Sequence, residues 1–573
     1  MTETQSRQLD LALSDVDYNN QYLFADHYLT HILTGDECWV DALAEAEAFL
    51  DWLRDLYEKE RDQLEAYSES QLRDHWFNPI LRRLGHTFER EARVPGLGHA
   101  NHGWRGVRVP DYVFFPDEAT QHAAAVVQKT EDYAQHALAV GEVKAWETPL
   151  SKKRRGGGPS FDDQNPSYQI DYYLKATGLT WGILSNGRQW RLVHRESSYR
   201  LDTYYEVDLV ALLEQEDAGA MRYFLLFFQQ AAFRPDTRGQ RFLDEVLAGS
   251  RAYAVALEED LRDKAYLALQ HLMQGFYDYG LNNLTTEDLD AVYENSLYLL
   301  YRLLFVLYGE SRGLLPMGNP QYKQRFSFDG LMRKIKDEYE DKGLRIFKRS
   351  TVYYGHLQDL FRLINGTDPG FNAEARVVRY NGGLFDPEQH PFLEEKRVGD
   401  YAFAQAVTLL CRRPRGAESE TGKKDKDFVD YRTLNVRHLG SIYEGLLEYQ
   451  PRRAEEAMVA VRDGNGGEQW IPEEDAPAGV KVADRCAIGE VYLETDKGDR
   501  KATGSYYTPQ YIVEYIVEQT LGPLVKKMKN DEWRMKNDEC GMGNEELKGE
   551  DLVEAVLGLK VLDPAMGSGH FLV

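Results

Sequence analysis

The residues with the clearest chemical potential are Asp111, Glu142 and Lys144. Asp111 follows Pro110 at the head of an apolar run (DYVFF), and Glu142-Val143-Lys144 lies inside a later one (ALAVGEVKAW). In a strand, positions i and i+2 share a face, so Glu142 and Lys144 are expected to project together towards Asp111. Two carboxylates on neighbouring strands can hold a hard divalent cation such as Mg²⁺, which keeps several waters besides. Such an ion acidifies a water and offsets charge building on a phosphate, with Lys144 orienting the nucleophile or stabilising the transition state. Asp111 and Glu142 are therefore the expected metal ligands. Asp74, on a preceding helix, is a further acid, with a solvated surface role as its simpler reading.

The elements that must position these groups can be traced along the chain. Apolar spacing through DALAEAEAFLDWLRDLYEKE predicts helix, and residues 1–75 as a whole read as helical. From 76 onward the texture becomes short β-like runs: HTFEREARV, VRVPDYVFF, ALAVGEVKAW and TWGILSNGRQWRLVHR. Ser185-Asn186-Gly187 between two apolar runs signals a hairpin, and NPSYQIDYYLKATGL between the third and fourth runs reads as a helix. The expected order over 72–195 is helix, β, β, β, helix, β, β.

This constellation resembles the PD-(D/E)xK nuclease fold. Gln169 and Tyr173 reproduce the QxxxY helix motif of the branch that includes type I restriction subunits and fused restriction–modification enzymes. That resemblance adds Gln169 to the catalytic set, and SNGRQW looks like the closing hairpin of the same branch. Directly after the EVK run stands Ser151-Lys152-Lys153-Arg154-Arg155-Gly156-Gly157-Gly158. Four adjacent cations on a Gly-rich stretch beside a phosphodiester site suit contact with a double-stranded DNA backbone; a solvated charged loop is the plainer alternative.

A second constellation lies near the end. Tyr507-Thr508-Pro509 precedes an expected helix (YIVEYIVEQTL), with Thr508 as N-cap and Pro509 at its first position. GLKVLDPAMGSGHFLV then runs from a strand-like stretch into a Gly-rich turn, where Gly567 and Gly569 permit close approach of a nucleotide-like ligand. Asp563, Pro564, Ala565, Gly567, Ser568 and Gly569 resemble motif I of S-adenosylmethionine (SAM)-dependent amino-methyltransferases. Tyr507, Thr508 and Pro509 resemble their motif X, which comes first in the γ order. The expected ligand is SAM and the expected target the N6 of adenine. The acid for the SAM ribose and the motif presenting adenine do not appear before Val573, so this chain is not expected to methylate alone.

Between the two, YRLLFVLYGESRGLLP, YNGGLFDPEQHPFL and HLGSIYEGLLEY resemble connector segments of fused, type IIG-like restriction–methylation proteins. Residues 412–428 and 461–480 are polar, with Gly and Pro, and read as loops or linkers; residues 525–550 read as an exposed insertion. The expected architecture is α/β and multidomain. It comprises an N-terminal helical segment (1–70), a PD-(D/E)xK nuclease domain of mixed sheet with flanking helices (71–206), a mainly helical connector (207–500), and the start of a Rossmann-like methyltransferase (501–573).

Charge and composition bound the possibilities. The chain has 573 residues and a formal net charge of −26, which taken alone argues against a nucleic-acid binder. Residues 76–206, however, carry 17 Lys and Arg against 15 Asp and Glu, so the acidity lies elsewhere. Cys38, Cys411, Cys486 and Cys540 show no metal-binding spacing. No secretory leader, no run of 18 apolar residues and no P-loop motif is present, consistent with a cytoplasmic protein without a membrane span. The expected activity is Mg²⁺-dependent DNA cleavage in a restriction–modification or phage-defence protein. Two alternatives are a defence methylase whose nuclease works only with partner subunits, and an idle DNA-binding scaffold, against which the intact Asp111, Glu142 and Lys144 count.

Overall fold

The computed structural model describes residues 17–94, 109–128, 131–152, 164–343, 346, 348–380, 383–414, 426–434, 436–447, 449–462, 468–477, 480, 482–495, 510–529, 556 and 558–562. The chain divides into two units: residues 1–253 with 510–565, and residues 254–509 with 566–573.

The first unit is built on seven strands: β1 (Asn19–Gln21), β2 (Thr87–Arg90), β3 (Tyr112–Phe115), β4 (Ala139–Val143), β5 (Trp181–Ser185), β6 (Gln189–His194) and β7 (Tyr204–Asp208). Their order in the sheet is β1-β7-β6-β5-β4-β3-β2. The β4–β5 pair is parallel and the remaining pairs are antiparallel. A parallel pair cannot be closed by a hairpin, and the helix Pro166–Thr177 makes the crossover. Its ends follow from sequence: the Asn165 side chain caps the Ser167 N–H, Pro166 opens the helix, and Gly178 ends it with φ +73°. The β5–β6 turn needs Gly187, at φ +88°, where an added Cβ would sit 2.6 Å from the Trp146 ring.

Both faces of the sheet are covered. Tyr112, Phe114, Ala139, Val143, Trp181, Ile183, Trp190 and Leu192 join a core with Phe49, Phe224 and Phe228. This core takes in helices Leu43–Glu60 and Ala218–Phe228, whose Phe49 and Phe224 rings lie 5.7 Å apart. Val113, Phe115, Val140, Leu184 and Val193 face the other way, onto Ile170, Tyr173 and Leu174 of the crossover helix. The strands expected over 87–194 are present. The N-terminal segment, expected to be helical, also contributes β1, whose Asn19 pairs with Glu206 of β7.

The second unit contains helices Leu289–Ser311, Phe328–Ile335, Val352–Asn365, Asp400–Cys411 and Val436–Leu446. It also holds strands within the mainly helical connector. Residues read as loops form strands β8 (Arg412–Pro414) with β9 (Lys426–Phe428), and contribute β12 (Glu468–Pro472) and the end of β11 (Met458–Arg462) to a sheet with β13 (Val482–Cys486); β10 (Tyr449–Arg453) pairs with β14 (Val491–Thr495). Five-residue strands around a Gly-rich DGNGG have the composition of a linker, which hid them. Their small core is Ala454, Ala460, Trp470 and Cys486. Helix Gln510–Lys529, which belongs to the first unit, follows the Tyr-Thr-Pro segment in the chain. No helix among the described residues is long and apolar enough to cross a membrane.

Candidate functional site

β3 and β4 pair with Tyr112 opposite Gly141 and Val113 opposite Val140. One further step in that register sets Asp111 across from Glu142. By alternation Asp111 shares its face with Val113 and Phe115, and Glu142 shares its face with Val140, which is the face under the crossover helix. Two bonds from backbone N–H groups, one to a side chain and one to a backbone carbonyl, lock the level of the site. The Val143 N–H donates to Asp111 Oδ2 at 2.9 Å, and the Lys144 N–H donates to the Ser185 carbonyl at 2.8 Å. Lys144 Nζ reaches Glu142 Oε1 at 2.5 Å. Asp111, Glu142 and Lys144 thus converge at one level of the sheet.

The electrostatics of this group are unbalanced. Burial first and the neighbouring Asp111 charge second push the Glu142 carboxyl up to about 8, against the pull of Lys144. Asp111 is also raised, chiefly by burial, with the Val143 N–H, Arg73 and Lys144 acting the other way. Glu142 Oε2 is buried and has no hydrogen-bond partner among the described residues. An unpaired buried carboxylate oxygen is costly unless a cation answers it. Among the described residues no set of three or more His, Cys, Asp and Glu side chains gathers into a metal cage. Mg²⁺ does not need one, since one or two carboxylates with waters and substrate phosphate suffice. The two carboxylates and the orphaned Oε2 fit such an ion.

Other expected residues are placed unequally. Gln169 lies half-buried on the crossover helix, one turn before Tyr173, whose hydroxyl donates to the Val109 carbonyl at 3.3 Å. That bond ties the helix to the chain entering Asp111. Lys152 is exposed, with Nζ 3.4 Å from Gln164 Oε1. Lys153, Arg154 and Arg155 lie outside the described residues, as do Tyr507, Thr508, Pro509, Asp563, Pro564, Ala565, Gly567, Ser568 and Gly569. Asp74 pairs with Arg90 at 2.6 Å on the surface, in keeping with its simpler reading.

Two residues escape a reading of the sequence. Arg73 is buried and puts Nη1 2.5 Å from Asp111 Oδ1 and Nη2 3.0 Å from Glu91 Oε1. A signal exists: position 73 stands three, four and seven residues before Trp76, Phe77 and Ile80, on one helical stripe, and all three are buried. Arg191 of β6, also buried, pairs with Glu206 at 2.6 Å and donates from Nη1 to Ser151 Oγ at 2.8 Å and Ser167 Oγ at 3.0 Å. It thereby fixes the start of the basic segment to the sheet.

Compared with known proteins, the chain is similar to a protein of Methanocaldococcus jannaschii named, provisionally, a type II restriction enzyme and methyltransferase. The two are 20% identical over 454 residues, which takes in 70% of this chain and 32% of that relative. The chain thus matches about a third of the relative's length. This supports kinship with restriction–modification proteins at that coarse level. No family model matches the chain, and no solved structure matches it.

Proposed function

We propose that the first unit is a PD-(D/E)xK-type nuclease that cleaves double-stranded DNA with Mg²⁺, within a type IIG-like restriction–modification protein that protects against foreign DNA. The observation that carries this reading is the meeting of Asp111, Glu142 and Lys144 on one covered sheet face, with Glu142 Oε2 left unanswered. Asp111 and Glu142 are the groups to hold the ion, which when bound supplies positive charge to the phosphate and lowers the pKa of a water. The Val143 N–H and the Tyr173 hydroxyl orient Asp111 and its approach strand. Glu142 Oε1 holds the Lys144 ammonium at the same level, where it can offset negative charge developing on the phosphate. Gln169, one turn from Tyr173, is assigned to the same site through the QxxxY resemblance.

The C-terminal residues Asp563–Gly569, with Tyr507–Pro509, are proposed to belong to a SAM-binding adenine-N6 methyltransferase. The name of the M. jannaschii relative, which pairs restriction with methylation, supports joining the two activities. Incubation of plasmid DNA with the full chain and Mg²⁺ tests the nuclease. Loss of intact plasmid is expected, slowed by about 10²-fold or more in Asp111→Asn or Lys144→Met; cleavage at the unaltered rate by either variant sinks the assignment. Transfer of label from SAM to adenine, assayed with this chain and with longer versions of it, tests the methyltransferase; label in cytosine, or in no base with any version, counts against it.

A further inference from the structure

Each of the two proposed metal-holding carboxylates already has a built-in cation. Lys144 Nζ sits on Glu142 Oε1, and Arg73 Nη1 sits on Asp111 Oδ1, both at 2.5 Å. Each proposed metal-holding carboxyl group thus has a cationic partner before any ion arrives. The Arg73 guanidinium is nevertheless only partly satisfied. Its Nη2 reaches Glu91 Oε1 at 3.0 Å, while its buried Nε–H finds no partner among the described residues. A buried donor on Arg73 and a buried acceptor on Glu142 are thus unpaired in one site. Arginine is the side chain best shaped for phosphate, with five donors in a planar fork. Glu91, which faces it, is held at φ +50°, a left-handed conformation unfavourable for a side chain of this kind. The backbone beneath Arg73 is fixed by fully buried Trp76 and Phe77, so any exchange of partners must come from the side chain itself.

We propose that Arg73 is an internal counter-cation of this site: it holds Asp111 in the DNA-free chain, competes with a divalent ion for that carboxylate, and passes to a phosphate oxygen when DNA enters. The inference rests on the nuclease reading and adds a positioning residue to it. Its consequence is that metal occupancy is suppressed until DNA supplies an alternative partner for the guanidinium. An Arg73 that merely braced Asp111 would have the opposite effect on metal affinity, because its loss would loosen the ligand.

The test is titration of the full chain, without DNA, with Mn²⁺ followed by the free-ion electron paramagnetic resonance signal. Arg73→Gln is expected to bind Mn²⁺ ~10-fold or more tightly than the unaltered chain, because a neighbouring positive charge has been removed. Equal or weaker binding by folded Arg73→Gln overturns the proposal. Asp111→Asn should abolish the site in both backgrounds; if Mn²⁺ binding survives it, the nuclease reading fails first, and the two failures are distinguishable. Should Arg73→Gln not fold, crystals of the unaltered chain with Mn²⁺ and duplex DNA decide. Separation of Arg73 from Asp111, with a guanidinium–phosphate contact, supports the exchange, and an Arg73–Asp111 bond persisting beside a bound ion overturns it.

Discussion

Lys144 Nζ stands 2.5 Å from Glu142 Oε1, and the two side chains keep only 17% and 7% of their exposure to solvent. That burial separates the pair from a surface salt bridge, which contributes little and needs no particular place in a fold. Here the pair lies at the level of Asp111, and its remaining carboxylate oxygen is unanswered. Replacing Lys144 by Met is expected to lower DNA cleavage by about 10²-fold or more while the circular dichroism spectrum is retained. A cleavage rate within error of the unaltered chain would remove Lys144 from the site.

Tyr173 offers a subtler test, because it acts through backbone. Its hydroxyl bonds the Val109 carbonyl at 3.3 Å, two residues before Asp111. Tyr173→Phe removes that bond while keeping the ring, at a cost of about 1 kcal/mol in stability. The expected signature is a several-fold slower cleavage at saturating Mg²⁺ with a melting temperature only slightly lowered. An unaltered rate would mean that Asp111 is held adequately without the crossover helix.

The spacing of β3 and β4 at the site depends on Gly141. An added Cβ there would sit 2.9 Å from the Phe114 ring and 3.2 Å from Tyr112 Cβ. Both neighbours are buried and packed, so neither has free room to move. Gly141→Ala should therefore cost ~1–3 kcal/mol by overpacking and weaken Mn²⁺ binding, since it pries apart the strands that carry Asp111 and Glu142. Denaturant unfolding and Mn²⁺ titration check the two effects, and a variant as stable as the parent would show the strands to be more yielding than this packing implies.

Much of this architecture is legible in the sequence. The β2–β6 runs alternate or are wholly apolar, Asn165-Pro166 marks a helix start, and Ser185-Asn186-Gly187 marks a hairpin; each is a local signal with a local cause. What escapes is non-local. β1 is only Asn-Asn-Gln, polar and three residues long, and it exists because Glu206 of β7 presents an edge 187 residues away. Arg73 carries the right helical phase for burial, but a charged residue type argues for the surface unless its partners, Asp111 and Glu91, are known. β11 and β12 are concealed by the Gly-rich stretch that joins them.

Acid sensitivity should appear in the first unit through two histidines. His86, with Nε2 2.7 Å from the Phe228 carbonyl, is pushed down from 6.5 to about 4 by burial, and His194 likewise. The folded state keeps both neutral while the unfolded chain takes up protons near 6.5. Their stabilising contribution is therefore complete above pH 6.5 and is lost as pH falls towards 4. Buried Glu142 and Glu310, pushed up to about 8 and about 7, titrate with the opposite sign over a neighbouring range. Total stability consequently mixes the two trends, and a variant isolates one. The stability difference between the parent and His86→Gln should shift against the parent as pH drops from 7 to 5. A difference constant across that range would show that His86 takes a proton in the folded state as readily as in the unfolded one.

The basic segment gives the last prediction, and it concerns affinity where the others concern chemistry or stability. Ser151, at its head, is anchored by Arg191 Nη1 at 2.8 Å, and the Lys152 N–H donates to Asn165 Oδ1 at 3.3 Å. The segment therefore starts from a fixed point at Ser151, seven residues after Lys144. Cations that start from a fixed point lose less freedom on meeting a phosphate backbone than cations on a free tail. Replacing Lys152, Lys153, Arg154 and Arg155 by Gln should weaken binding of unrelated duplexes to a similar degree, because phosphate contacts carry no direct sequence information. It should also flatten the dependence of log K on log salt by up to ~0.9 for each phosphate no longer neutralised, through fewer released counterions. Titrations of parent and variant over a salt series measure both effects. If the slope is unchanged, these four cations belong to a solvated loop, and the backbone contacts must be sought elsewhere on the unit.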